Sequence, residues 1–191
     1  MDTREILIAA ALKVLEEEGE ARFSTRAVLA IADVSAPTLY HHFGNADGML
    51  SAALEEAFSQ FLKAKQSAER AADPILALIE GWNDYVRFAA ARPRLYAAML
   101  SRVLQGGRIP AAEQAFDLLR EQLRAIDRQG RLAMDVETAA DRMWASANAA
   151  SLLHVTARLR KAPAPGEAVL TDLRESALKT ILSPTEKGAR P

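Results

Sequence analysis

The sequence contains no cysteine and only three histidines, and aromatic residues make up 6% of it. Without cysteine there can be neither a disulfide nor a thiolate-held metal. No stretch approaches the roughly 20 consecutive apolar residues that span a bilayer. The opening MDTREILIAAALKVLEEEG sets acids on both sides of a short apolar run and offers no small-residue cleavage site, so it reads as a poor secretory signal. A soluble, cytoplasmic protein is expected. There is no internal repeat and no glycine-rich phosphate loop. Charge of one sign is also missing, with 24 basic against 25 acidic groups, but its distribution is uneven. Residues 1–48 hold four basic groups (Arg4, Lys13, Arg22, Arg26) and eight acids (Asp2, Glu5, Glu16, Glu17, Glu18, Glu20, Asp33, Asp47), a balance of −4. A segment that binds nucleic acid is ordinarily basic, and any such role here has to be reconciled with that balance.

What the chain does have is alanine-rich hydrophobic sequence, half of its 191 residues being hydrophobic, with Gly and Pro grouped at intervals. This favours closely packed helices. Ile6, Leu7, Ala10, Ala11, Val14 and Leu15 recur at helical spacing, and Gly19 can end that helix. Ser24 can cap a second helix over about 25–32. Asp33 tolerates the left-handed conformation that stops it. Ser35 can cap a third, with Pro37 in the first turn where its missing N–H costs little. Gly44 stops the third helix and Asn45 caps a long fourth. Asp73-Pro74, Pro93, Pro110 and Asp135 open the next four, the eighth reaching about Lys161. Ala162-Pro163-Ala164-Pro165-Gly166 breaks the chain before a ninth, and SPTEKGARP reads as a disordered end. The expected fold is all-α, about nine helices, three short ones followed by six longer. The expected domains are 1–45, a helix-turn-helix head; 46–183, a larger helical bundle; and 184–191, a disordered tail.

The stretch SAPTLYHHFGN, residues 35–45, carries two of the three histidines side by side. Adjacent residues on a helix diverge by about 100°, so His41 and His42 cannot share one metal ion, which would want a spacing of three or four. A general base needs a positioned partner, and no acid or nucleophile lies at helical contact spacing on the same face. Neither a metal, a cofactor nor a catalytic residue is expected. On a helical wheel Leu39 lies with Phe43 and Ala36 on a core face, Pro37, Thr38, Tyr40 and His41 point away, and His42 sits at the flank, where it reads as a packed imidazole. A proline, a hydroxyl, a phenol and an imidazole suit a DNA groove.

Two helices joined by a three- or four-residue turn before Ser35 make a helix-turn-helix, and here FSTRAVLAIADVSAPTLYHHFGNADGML resembles the N-terminal signature of the TetR family of transcriptional regulators. The matching residues are Ser24-Thr25-Arg26, Ala32 with Val34-Ser35 at the turn, Thr38-Leu39-Tyr40, His42-Phe43, and Leu50. The resemblance covers roughly residues 5–55. It implies that Thr25 and Tyr40 hold phosphates and that Arg26, Ala36, Pro37, Thr38 and His41 face base edges, with Ser35 and His42 completing the DNA-binding set. It also implies that Val28, Val34, Leu39 and Phe43 hold the head together. Tyr40 could instead cover the fourth helix, and Arg26 could be a solvated charge. Two departures weaken the attraction for a polyanion. Asp33 stands where the family has glycine at the turn, and Ala46 stands where many members have a phosphate-facing lysine.

The resemblance further implies a C-terminal bundle that binds a small effector and dimerises through its last two helices. Small residues from Ala145 to Ser151 permit close helix approach, although an ordinary intramolecular core would use them too. Candidates to line the effector site are Phe61, Trp82, Tyr85, Tyr96, Met99, Met143, Trp144 and Asn148, with His154 as a second polar group. Each of them could equally be plain core. The expectation is a non-enzymatic homodimer that binds double-stranded operator DNA, most simply a repressor that leaves a palindromic operator when a small apolar molecule binds. The alternatives are a helical dimeric small-molecule-binding protein whose DNA head has weakened, and a purely structural helical scaffold.

Overall fold

A computed structural model of the chain describes residues 2–67 and 71–184. Among them lie nine α-helices: α1 Thr3–Glu18, α2 Thr25–Ala32, α3 Ala36–Phe43, α4 Ala46–Ser67, α5 Pro74–Ala91, α6 Pro93–Leu104, α7 Pro110–Asp127, α8 Val136–Leu159 and α9 Glu167–Ile181. No strand forms among the described residues, where an isolated bridge joins Leu132 to Leu182. No helix among them is long and apolar enough to cross a membrane. The all-α expectation is met. The tail expected over 184–191 lies outside the described residues, apart from Pro184.

The helix ends follow from local chemistry. Gly19, at φ 81°, donates its N–H to the Leu15 carbonyl and ends α1. Ser24 Oγ accepts the Ala27 N–H at 3.2 Å. Asp33 takes the left-handed conformation, φ 52° and ψ 44°, and closes α2. Asn45 Oδ1 accepts the Gly48 N–H at 2.8 Å at the start of α4, Asp73 Oδ1 accepts the Ile75 N–H at 2.8 Å, and Asp135 caps α8 through the Thr138 N–H.

Two expectations are corrected. The first helix is not short: it runs 16 residues, longer than α6 or α9. Its start is held by a reciprocal pair in which Glu5 N–H donates to Asp2 Oδ1 at 2.8 Å and Asp2 N–H to Glu5 Oε2 at 2.9 Å, satisfying two otherwise orphaned donors. A 3-10 turn, Glu20–Arg22, follows it. Ser35 precedes α3 in an extended conformation, but its side chain does not cap the helix. Its Oγ lies 2.8 Å from Thr38 Oγ1 instead, because Pro37 leaves no N–H at the second helical position.

The chain divides into two compact units, Met1–Gln66 with Ala91–Glu113, and Ser67–Ala90 with Gln114–Pro191. The helix pair α2–α3 lies in the first of these units. In the first unit α1 packs on α2, α3 and α6. Leu7, Leu15, Val28, Leu39, Met49 and Leu54 are fully buried. Each such side chain contributes about 1.5–3 kcal/mol by leaving water. The second unit has a core drawn from α5, α7, α8 and α9, including Trp82, Leu123, Ile126, Met143 and Ile181. On the buried side of α8 stand Ala139, Ala140, Ala147 and Ala150, whose small side chains let α9 come close. The loop after α7 pairs with the end of α9: Ala133 N–H donates to the Ile181 carbonyl at 2.8 Å and Ser183 N–H to the Arg131 carbonyl at 2.9 Å.

Candidate functional site

The head is built around the turn Asp33–Ser35. Left-handed Asp33 reverses the chain after α2, and Val28 and Leu39, both fully buried, lock α2 and α3 to one core. The remainder of α3 is then displayed. Ala36, Pro37, Tyr40, His41 and His42 are exposed, Thr38 is half-buried, and Tyr40 is 48% exposed. Arg26 is exposed and Thr25 half-buried at the start of α2. Two sequence expectations change here. Ala36 does not join the core face, because α3 packs through buried Leu39 and half-buried Phe43 while Ala36 and Pro37 stand clear. His42 is not packed: it is exposed, with its ring 5.4 Å from that of His41 and 6.1 Å from that of Phe43.

The junction between α3 and α4 depends on a glycine that the motif reading passed over. Gly48 lies so close to the Phe43 carbonyl oxygen that a β-carbon there would overlap it. Asn45 N–H also donates to that carbonyl, at 2.8 Å. Only a residue without Cβ lets the first turn of α4 abut the last turn of α3.

The acidity of residues 1–48 is offset inside the same unit by arginines of α6 and its flanks. Arg102 reaches Asp47 with both arms, Nη1–Oδ1 2.6 Å and Nη2–Oδ2 2.9 Å, and donates to Ser51 Oγ at 2.7 Å. Arg92 Nε donates to Glu16 Oε1 at 2.6 Å. Arg94 donates to the carbonyls of Glu16 and Glu17 at the end of α1, where the helix dipole favours a cation. The Arg102 hydrogen bond holds the Asp47 carboxyl below its ordinary value against a smaller opposing effect of burial. Over the whole first unit, ten basic groups stand against eleven acidic ones. The −4 of the head is therefore nearly cancelled by side chains far away in sequence.

The effector-site candidates fall in both units. In the first, Tyr96 and Met99 are buried on α6, and Phe61 is half-buried on α4 with its ring 5.5 Å from Phe58, edge to face. In the second, two polar chains run between α5 and α8. Trp82 Nε1–H donates to Ser146 Oγ at 3.0 Å, which donates on to the Leu173 carbonyl of α9 at 3.0 Å. Tyr85 O–H donates to Asn148 Oδ1 at 3.1 Å, and Asn148 Nδ2 donates to the Trp144 carbonyl at 2.8 Å. Met143 is buried beside Trp82 in the core. Trp144 is 47% exposed, edge-on to Phe116, and His154 is half-buried. Sequence reasoning joined Tyr85 and Asn148 only as members of one set; it missed Ser146 as a hydrogen-bonding partner and the fully buried Ser151, whose hydroxyl finds no partner among the described residues.

A left-handed turn between two short helices, with the second displayed by a buried leucine, defines a helix-turn-helix head on an all-helical protein. Residues 7–53 match the signature described as "Bacterial regulatory proteins, tetR family". The head therefore carries the N-terminal signature of the TetR family over residues 7–53. No curated protein matches the sequence. Its fold is similar to a protein of unknown function from Rhodococcus sp. RHA1 (22% identity, 96% of this chain and 97% of that one, TM-score 0.77). It is also similar to a transcriptional regulator from the same organism (24%, 94% and 96%, TM-score 0.72), and to a TetR transcription regulator from Haloarcula marismortui (17%, 95% and 99%, TM-score 0.72). At these identities the likeness is one of fold.

Proposed function

We propose that the protein is a cytoplasmic, non-enzymatic homodimer that reads a near-palindromic operator with α3 and leaves it when a small, largely apolar effector binds the helical bundle. The observation that carries this reading is the display of Ala36, Pro37, Tyr40 and His41 on a helix whose opposite side is fixed by buried Leu39. Such a surface offers apolar edges to thymine methyls and ring nitrogens to base edges, with Thr25 and the Tyr40 hydroxyl available to phosphates. Ser35 and Thr38 share a hydroxyl contact, so Thr38 meets the groove as a prearranged pair. The near-neutral charge of the first unit supports specificity through base and shape contacts more than through bulk attraction.

The effector reading rests on α5 and α8. Tyr85, Asn148, Trp82 and Ser146 are amphipathic or polar groups among aliphatic and aromatic neighbours, and few precisely placed polar groups in an apolar surround suit an uncharged or weakly polar molecule. Met143 and Trp144 of the same unit are proposed as its apolar contacts. Dimerisation is assigned to α8 and α9, where Leu152, Leu153, Leu159 and Val169 are exposed. The test is selection of bound duplexes from a random library, followed by titration of the recovered sequence with and without candidate effectors. Recovery of an inverted repeat with half-sites about one turn or a multiple apart supports the reading; no enrichment, with the protein folded, overturns it.

A further inference from the structure

Arg4 belongs to the first turn of α1, outside the motif that reads DNA, and its guanidinium lies over the ring of Phe43, 5.5 Å from the centroid. Phe43 is the last residue of α3, and its ring stands 6.1 Å from that of exposed His42. The cation–π contact places a cation beside the C-terminal end of α3 without consuming its N–H groups. Arg4 is exposed and makes no hydrogen bond or ion pair among the described residues. The acids nearest in sequence do not claim it: Asp2 and Glu5 each accept a backbone N–H of the other in the cap of α1. In this unit, by contrast, Arg92, Arg94 and Arg102 are all engaged with acids or carbonyls. An arginine drawn over an aromatic ring, with its donors still open, suits a phosphate oxygen pair.

We propose that Arg4 is a DNA-backbone contact, gripping a phosphate beside the recognition helix and held in place by Phe43. It would be a contact from α1, added to those of α2 and α3. This rests on α3 being the reading element, and the experiment separates the two. Full-length protein would be titrated at several salt concentrations against a duplex recovered by selection and against an unrelated duplex of the same length.

For Arg4→Gln the slope of log K against log salt should become shallower by about 0.9, the loss of one neutralised phosphate. Between 50 and 200 mM salt the wild-type protein should then lose roughly threefold more affinity than the variant. The change should be the same on both duplexes, since phosphates carry no sequence. Arg4→Lys, which keeps the charge, should keep the slope. Lys13→Gln, nine residues further along α1 and so about 13 Å away along its axis, should leave the slope as in wild type. An unchanged slope for Arg4→Gln overturns the assignment, and if its melting temperature falls as well, Arg4 is only a clip for Phe43. An equal change for Lys13→Gln overturns it in favour of diffuse charge, and loss of slope in Arg4→Lys also counts against it. A change confined to the selected duplex would make Arg4 a base reader instead. Wild-type protein that binds neither duplex fails the reading of α3, and the assignment with it.

Discussion

Arg102 holds Asp47 with a two-armed grip, 2.6 and 2.9 Å, across 55 residues of sequence. The pair joins α6 to the first turn of α4. Arg102 Nε is buried with no hydrogen-bond partner among the described residues, and a β-carbon at Gly107 would press to within 2.7 Å of Arg102 Cδ, so the side chain occupies a fitted slot. Asp47 itself is 63% exposed, and solvent screening limits the pair to about 0.2–1 kcal/mol.

A pH dependence follows from the lowered Asp47 carboxyl. A depressed carboxylate stabilises the fold above its unfolded value of about 3.9 and loses that contribution as pH falls through the folded value. Asp47→Asn should therefore destabilise the protein at pH 7 and make progressively less difference below about pH 4. Urea denaturation of both proteins across that range checks it; a difference that persists undiminished at pH 2–3 would mean Asp47 acts through something other than its charge.

Gly48→Ala has an expected sign opposite to that of helix propensity. In an unobstructed helix the change would stabilise by up to about 1 kcal/mol. Here the new methyl meets the Phe43 carbonyl, and displacement of α3 against α4 should cost about 1–3 kcal/mol and weaken operator binding. A variant more stable than wild type would show that the two helices do not meet as described.

On the recognition helix, Tyr40→Phe should weaken binding to every sequence alike by about 0.5–1.5 kcal/mol, the net worth of one hydrogen bond. His41→Ala and Thr38→Ala should instead flatten the preference at one base position, by roughly 1–3 kcal/mol. Titration against the selected operator and its single-base variants distinguishes them. Uniform loss for His41→Ala would remove it from the readers.

Assembly is best probed at side chains that the single chain leaves in solvent. Leu152 is 46% and Val169 49% exposed, whereas Ala177 packs against the core of the second unit and a charge there would confound folding with association. Leu152→Glu should give a folded monomer by light scattering combined with circular dichroism. A folded variant that stays dimeric places the interface away from this face of α8.

For the effector, a bound molecule should raise the melting temperature by mass action, and Tyr85→Phe should reduce that rise for any compound that exchanges a hydrogen bond with the Tyr85–Asn148 pair. A compound panel in which only highly charged molecules stabilise the protein would contradict the apolar reading.

The local frame was legible residue by residue. Gly19, Asp33, Gly44, Asn45, Asp73 and Asp135 act on backbone groups within four residues of themselves, so helix ends appear in the order of the letters. The same holds for the head's signature, whose spacing alone places Leu39 inward and Tyr40 outward. The wheel failed at Ala36 and His42 because it assumes a uniformly covered helix, whereas α3 is covered only where α1 and α2 reach it.

The sequence by itself determined the helices of the described residues, most of their ends and the helix-turn-helix element, since these depend on neighbours along the chain. Only the tertiary structure decided what lies beside that element. The partners of Glu16 and Asp47 come from 76 and 55 residues away, the close approach that requires Gly48 is between two helices, and Arg4 meets Phe43 only because α1 and α3 share one core. Charge acts through space, and its balance around the head could be counted only after folding had brought α6 to it.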